Sequence, residues 1–515
     1  MIDFLRKFLK DNNINALLIN STNEYLVEYN RLEENARYAV TGFSGSTGDA
    51  VLTEDKLYLF VDGRYHIQAD NEVNHDVVTV VKLQSGQTML GEMQKLLPKN
   101  CVLGAVASKN SQKRIENFEK YFQVILLKSE PVNITYTLPE EHIEEISQEY
   151  TGLSKDDKIK YLQSLIKPED AILVTNLEEV SYLFNLRDFS IPYSSKISKR
   201  AIITSNGAVL FSKNEFDKYK TAIENVRGKI YVDKSTINAR DFLLVGDKAA
   251  YFEVSPVSKM KSIKTDSEIS HYIETFKRTD LAVKAIRDYI ENNDNISEFD
   301  IATQLEKEFL HYGAKSLSFK SIVAKDKNSA LAHYSKCSKD EILKDGSLVL
   351  IDCGAYYEGG LATDITRVFV KGTPSPLQKK VYTTVLKVFL NSFHSKAKTG
   401  FEIDANARKI FAENPINGFE FNHGLGHGIG VSVHEYPPNL SCNEIAKVQI
   451  EDNMCFTIEP GLYNKDYFGV RLENSCYKQN GEIKSFVHMN YEKKLIDYSS
   501  LSSEEQEWLK EFEVI

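Results

Sequence analysis

A chain of 515 residues exceeds the size at which one hydrophobic core keeps growing, so roughly two to four domains are expected. With 42% hydrophobic, 11% aromatic and 26% charged residues, it has the composition of a folded protein rather than a disordered one. A formal net charge of -10 argues against nonspecific nucleic-acid binding, and no apolar run approaches the roughly 18 residues needed to span a bilayer.

The opening residues, Met1-Ile2-Asp3-Phe4-Leu5-Arg6, run straight into an amphipathic helical pattern without the apolar core or cleavage site of a leader. The six cysteines, at 101, 337, 353, 442, 455 and 476, lack paired spacing and read as reduced, mostly buried thiols, so a cytoplasmic location is expected. Buried strands follow at Ala16-Leu17-Leu18-Ile19, Ala50-Val51-Leu52 and Leu57-Tyr58-Leu59-Phe60-Val61, making residues 1–128 an α/β domain. The glycine-rich stretch Thr41 to Gly48 is not followed by Lys-Ser or Lys-Thr, and a strand comes next. It reads as a structural turn, not a phosphate cradle.

A loop with Pro131, Pro139 and acidic residues from Glu140 to Glu149 marks a boundary. In a second α/β domain, 129–261, Ala171-Ile172-Leu173-Val174, Glu178-Glu179-Val180 and Ala201-Ile202-Ile203 repeat the order seen around Ala16, Glu24-Tyr25-Leu26 and Ala50. The two domains read as diverged copies of one unit.

The third domain, 262–515, opens on a capping box, Thr265 to Glu268, and a long amphipathic helix with apolar residues at Ile269, Ile273, Phe276, Val283, Ile286 and Ile290. A second helix from about Ser297 to Tyr312 ends at Gly313. Strands are expected at Ser347 to Asp352 and Ile365 to Val370, a helix from about Pro376 to Ala397, then further strands and a short capped helix from Ser503 carrying Trp508. The domain reads as α+β with a curved antiparallel sheet.

Asp352 closes one apolar strand and Asp364 opens another, with Gly359-Gly360 as a turn between them. Glu459 and Glu473 recur in the same way around Glu459-Pro460-Gly461 and Arg471-Leu472-Glu473. Between the pairs lies a glycine-rich segment with His423, His427 and His434, which lacks the helix and glutamate of a zincin. Four carboxylates and one neutral imidazole carry four negative charges, which two divalent cations about 3.5 Å apart would balance. Such a ligand set suits Mn²⁺ or Co²⁺ better than structural zinc.

These motifs together resemble the M24 metallopeptidases, the pita-bread fold shared by methionine aminopeptidase, prolidase and Xaa-Pro aminopeptidase. Thr41-Gly42-Phe43-Ser44-Gly45-Ser46, Asp62-Gly63-Arg64-Tyr65 and the stretch from Asn176 to Arg187 are similar to the two creatinase-like N-terminal domains of its three-domain Xaa-Pro aminopeptidase members. The resemblance implies that Asp352 chelates one metal, that His427 and Glu459 chelate the other, and that Asp364 and Glu473 bridge both. It further implies Glu459 as general base for a metal-bridging hydroxide, and His333 and His434 as catalytic, substrate-binding hydrogen-bond donors. His423 becomes a substrate-pocket residue and Arg471 a partner of the metal carboxylates. The implied cofactors are two divalent ions per subunit, Mn²⁺ first, with Co²⁺ and Zn²⁺ as alternatives. The implied partners are peptides with proline in second position and a second copy in a homodimer.

Asp352 and Asp364 stand one residue further apart than in the family pattern, an insertion the Gly359-Gly360 turn can absorb. Two other readings remain: a prolidase restricted to dipeptides, and a noncatalytic pita-bread binding module. A creatinase-like amidinohydrolase is disfavoured, because those enzymes need no metal and all five ligands are present.

Overall fold

Four-residue aliphatic runs buried on both faces, Ala16–Ile19 and Ala171–Val174, lie inside two separate sheets. Such runs need cover on both sides, which is why neither shows polar alternation. The computed structural model describes residues 1–84, 86–137 and 140–512; Pro139, read as part of the boundary loop, lies outside them. The chain forms two compact units. One comprises Met1–Glu140, Ser154–Phe184 and Ile197–Val257, and the other Glu141–Leu153, Asn185–Lys196 and Ser258–Ile515.

In the first unit, the sheet order is Val78–Lys82, Leu57–Val61, Asp49–Thr53, Ala16–Ile19, Val102–Val106, Gln123–Leu127. Leu17 and Ile19 join one apolar core, Ala16 and Leu18 the core on the other face, as the two-residue period of a strand requires. The second sheet runs Gly207–Ser212, Lys199–Thr204, Ala171–Val174, Ile230–Tyr231, Ala249–Ala250. In both, the central run pairs antiparallel with the first strand of a hairpin on one side and parallel with a later strand on the other, itself followed by a parallel neighbour. The pairing plan is one plan used twice, with Val78–Lys82 as an added edge strand in the first copy. The likeness is weaker between the strands: Leu177–Phe184 is a helix, whereas Glu24-Tyr25-Leu26 is not, and the first copy places its helix later, at Ala36–Thr41. Gly42 ends that helix in a left-handed conformation (φ 75°), and Ser44 binds Glu72, so the Thr41–Gly48 stretch is built as a turn.

In the second unit, the Thr265 capping box starts a helix over Asp266–Asn292 whose Ile269, Phe276, Val283, Ile286 and Ile290 are buried. The next helix, Glu298–His311, gives way to Gly313 at φ 86°. Among the described residues eight strands form the main sheet. Seven run in the order Ile322–Lys325, Leu348–Cys353, Ile365–Val370, Glu473–Gln479, Cys455–Ile458, Gly426–Gly428, Glu435–Leu440, and Glu482–Ser485 pairs beside Glu473–Gln479. These neighbouring pairs are antiparallel, and the sheet is curled into a half-barrel. Leu348, Leu350, Val368 and Val370 pack with Val381, Val385, Phe389 and Ile403 in one core.

Three elements differ from expectation. The helix expected over Pro376 to Ala397 stops at Phe393, and a separate capped helix, Gly400–Glu413, follows where strands were expected. Gly400 obscures that second helix in the sequence because glycine is a poor helix former. It is required there, since a Cβ would lie 2.0 Å from the Asn439 carbonyl oxygen. The last helix, Ser503–Leu509, is capped by Ser502 with Glu505, one residue earlier than read from the sequence. No helix among the described residues is long and apolar enough to cross a membrane.

Candidate metal centre

The carboxylates meet because of strand register. Asp352 lies opposite Thr366, and Thr366 lies opposite Glu473, so these three side chains share one row across three strands. Asp364, two residues before Thr366, falls on the same face by the period of two. Thr366 then donates from Oγ1 to Glu473 Oε2 at 2.7 Å. The strand Cys455–Ile458 runs beside Glu473–Gln479 and delivers Glu459 at its end, while Gly426–Gly428 brings in His427. Gly426 allows this: a Cβ there would stand 2.0 Å from the Thr457 carbonyl oxygen. The glycines of this segment therefore serve close packing of backbone on backbone.

Ligand atoms of Asp364, His427 and Glu473 all lie within 4.8 Å of one another. His427 Nε2 is 3.7 Å from Asp364 Oδ2 and 3.6 Å from Glu459 Oε1. Its Nδ1 faces the Gly428 carbonyl at 3.0 Å, and since that oxygen can only accept, Nδ1 carries the proton and Nε2 presents a lone pair to the carboxylates. Arg471, buried, ties in Asp352 by donating from Nη2 to Oδ2 at 2.5 Å, and its Nε lies 3.9 Å from Glu459 Oε2. The structure thus assembles all five predicted ligands around one point, three in a tight group and two through His427 and Arg471.

The electrostatics call for cations. Asp352 Oδ1, Asp364 Oδ1 and Glu473 Oε1 are buried acceptors with no hydrogen-bond donor, one from each of three neighbouring carboxylates. Burial, then the charges of Glu473, Asp352 and Glu459, hold the Asp364 carboxyl well above its usual range. Burial, then Glu459 and Asp352, do the same to Glu473. Arg471 offsets only one of the four negative charges. Clustered carboxylates with unmet acceptors and one imidazole fit divalent cations.

His423 Nδ1 faces the Gly424 carbonyl at 2.7 Å, so Nε2 accepts from the Tyr463 hydroxyl at 2.8 Å, and that oxygen accepts from Arg471 Nη1 at 2.8 Å. Burial outweighs the nearby Arg471 charge and pushes the Tyr463 hydroxyl up to about 12, keeping it protonated as the donor to His423. Sequence reasoning missed Tyr463. Its signal was Gly461, which has no room for a Cβ because the Tyr463 hydroxyl would lie 2.5 Å away. His434 packs edge-on to His427 with ring centroids 4.3 Å apart. His333 is half-buried just beyond the short helix Asp326–Ala330, whose Ser329 accepts from Gly469 N at 2.8 Å, beside the strand that carries Arg471.

The Asp352 and Asp364 strands pair directly, and the chain between them turns at Tyr357 to Gly360 through a 2.9 Å backbone hydrogen bond.

A curled sheet gathering these carboxylates and His427 is the working part of a metal-dependent hydrolase. Residues 271–478 match metallopeptidase family M24, and residues 1–137 and 136–268 each match a Creatinase/Prolidase N-terminal domain. Residues 271–478 therefore form an M24 metallopeptidase domain. It is 27% identical to a probable Xaa-Pro aminopeptidase P of Laccaria bicolor, over 99% of this chain and 88% of that protein. It is 28% identical to Xaa-Pro aminopeptidase 2 of Homo sapiens, over 99% of this chain and 83% of that one. An X-prolyl aminopeptidase from Caenorhabditis elegans, described as a cytosolic enzyme with a di-nuclear active site, shares the fold at a TM-score of 0.88. It is 23% identical and covers 97% of this chain and 90% of its own.

Proposed function

We propose that this protein is an Xaa-Pro aminopeptidase, removing the first residue from peptides with proline in second position. The observation that carries this reading is the likeness of the whole chain, including both creatinase-like N-terminal domains, to relatives so named. We divide it as 1–128, 129–261 and 262–515, the last being the pita-bread catalytic domain, and place it in the cytoplasm as a homodimer.

Asp352, Asp364, His427, Glu459 and Glu473 would hold two divalent cations, Mn²⁺ being the first to test. Bound there, the cations would supply Lewis-acid polarisation of the scissile carbonyl and a lowered pKa for water. Glu459, partly open to solvent at 19% side-chain exposure, would take a proton from the attacking water and return it to the proline nitrogen as it leaves. His434 and His333 would donate hydrogen bonds to the oxygen on which charge develops. His423, oriented by Tyr463, would line the peptide pocket, while Arg471 holds Asp352 and faces Glu459.

The test is hydrolysis by metal-free protein reconstituted with Mn²⁺, run with chelator controls on an Xaa-Pro dipeptide and longer Xaa-Pro peptides. Cleavage of the longer peptides is expected. Strict dipeptide use would make the protein a prolidase, and no hydrolysis would favour a binding module.

A further inference from the structure

Far from the ligands in sequence, Asn185–Lys196 nevertheless belongs to the compact unit that contains them. Arg187, only 1% exposed, donates from Nε to the Gly360 carbonyl at 2.9 Å. The Ser195 hydroxyl, fully buried, is shared between the Gly360 carbonyl at 3.3 Å and the Val431 carbonyl at 3.1 Å. Next to it, Lys196 Nζ reaches the Ser432 hydroxyl at 3.1 Å. Gly360 lies four residues before Asp364, and Val431 lies between His427 and His434. One short segment therefore grips two loops that flank the ligands.

The grip is rigid on both sides. Asp188 N donates to the Ser195 carbonyl at 2.9 Å, and Asp188 Oδ1 accepts from Ser190 N at 2.9 Å, so the segment closes on itself. Leu186–Asp188 pairs with Ile143–Glu145, and the Asn185 side chain donates to the Leu153 carbonyl at 3.0 Å. On the other side Gly360 has φ 65° and is packed so closely that a Cβ would lie 2.6 Å from Arg187 Nε, while Gly359 N donates to His271 Nε2 at 3.0 Å. The two gripped loops touch each other through Ala362 N and the Gly430 carbonyl at 2.7 Å.

We propose that Asn185–Lys196 is a strap that fixes the Gly359–Gly360 turn against the loop leading to His434, with Arg187 and Ser195 as positioning residues for peptide hydrolysis. The proposal rests on the aminopeptidase reading. Ligands on strands are held by the sheet, but His434 sits on a loop, and a displacement of about 1 Å of a catalytic group can cost about a hundredfold in rate. Beside the direct Ala362–Gly430 bond, the strap supplies further hydrogen bonds that relate that loop to the Asp364 side of the site.

Ser195→Ala is the clean test, because it removes one hydroxyl and leaves the buried Arg187 charge in place. In the full-length Mn²⁺-loaded protein kcat should fall about tenfold with KM and Mn²⁺ stoichiometry unchanged, and Ser195→Thr should restore it. Amide hydrogen exchange should speed up at residues 360–362 and 430–434 and nowhere else in the sheet. Wild-type kcat together with wild-type exchange in Ser195→Ala would overturn the strap, as would a uniform rise in exchange across the sheet with a lowered melting temperature. If the wild-type protein cleaves no Xaa-Pro peptide, the aminopeptidase reading fails by itself. The strap then stands or falls on the exchange pattern alone.

Discussion

Tyr463 shows how much of this site depends on a single hydroxyl. It accepts from Arg471 and donates to His423, so its loss takes one partner from a buried guanidinium and one from an imidazole together. Leaving a buried polar group unpaired costs about 1–3 kcal/mol, and disturbing partners of metal ligands typically costs about 10–100-fold in activity. Tyr463→Phe is therefore expected to lower kcat/KM by about that factor while Mn²⁺ stoichiometry, read by metal analysis of the purified protein, stays the same. Unchanged kinetics would mean that His423 is oriented by something else. The five proposed ligands are legible because each sits in a short motif whose meaning lies in its sequence neighbours, such as Glu459-Pro460-Gly461. Tyr463 is not, because its partners lie 40 and 8 residues away and meet it only across strands.

The long helix Asp266–Asn292 was readable from its capping box and its apolar spacing, but that pattern hides Asp280, which is fully buried with Oδ1 lacking any donor. Burial pushes its carboxyl up to about 7, against the opposing pull of the His488 and Met489 amides and of Arg367. A raised folded-state value favours the folded protein while the group is protonated, so this contribution is complete below the ordinary carboxylate range near 4 and is lost as pH rises through about 7. Asp280→Asn removes the titration. Denaturant unfolding should show the variant gaining on wild type between pH 4 and pH 8, by on the order of 4 kcal/mol at the limit. A constant difference across that range would show that Asp280 does not titrate there. Other elements resist sequence reading for a simpler reason. Ile143–Glu145 and Leu186–Asp188 are three-residue strands with no usable period, and only their pairing defines them.

For the whole molecule, the unmet acceptors of Asp352, Asp364 and Glu473 couple cation binding to stability. Chelation should lower the melting temperature and Mn²⁺ should restore it, since a ligand at a hundred times its Kd adds about 2.7 kcal/mol. Calorimetry with and without chelator measures this, and Asp364→Asn should blunt the response. A chelator effect of equal size in that variant would locate the stabilising metal elsewhere. At this scale the duplicated N-terminal plan is visible in the sequence, because central strands buried on both faces must be continuous aliphatic runs, and the curved antiparallel sheet is expected too, whereas the order in which its distant strands pair is not legible there.

That distant pairing bears on when the site can come into being. Thr366 meets Glu473 across 107 residues, and Arg471 meets Asp352 across 119, so closing these contacts sacrifices the entropy of long loops before any ligand is gathered. A chain emerging from the ribosome holds Asp352 and Asp364 long before Glu473 exists. A cation held by residues from both ends of this span would require those long loops to be closed, whereas a small zinc finger closes only a short one around its metal.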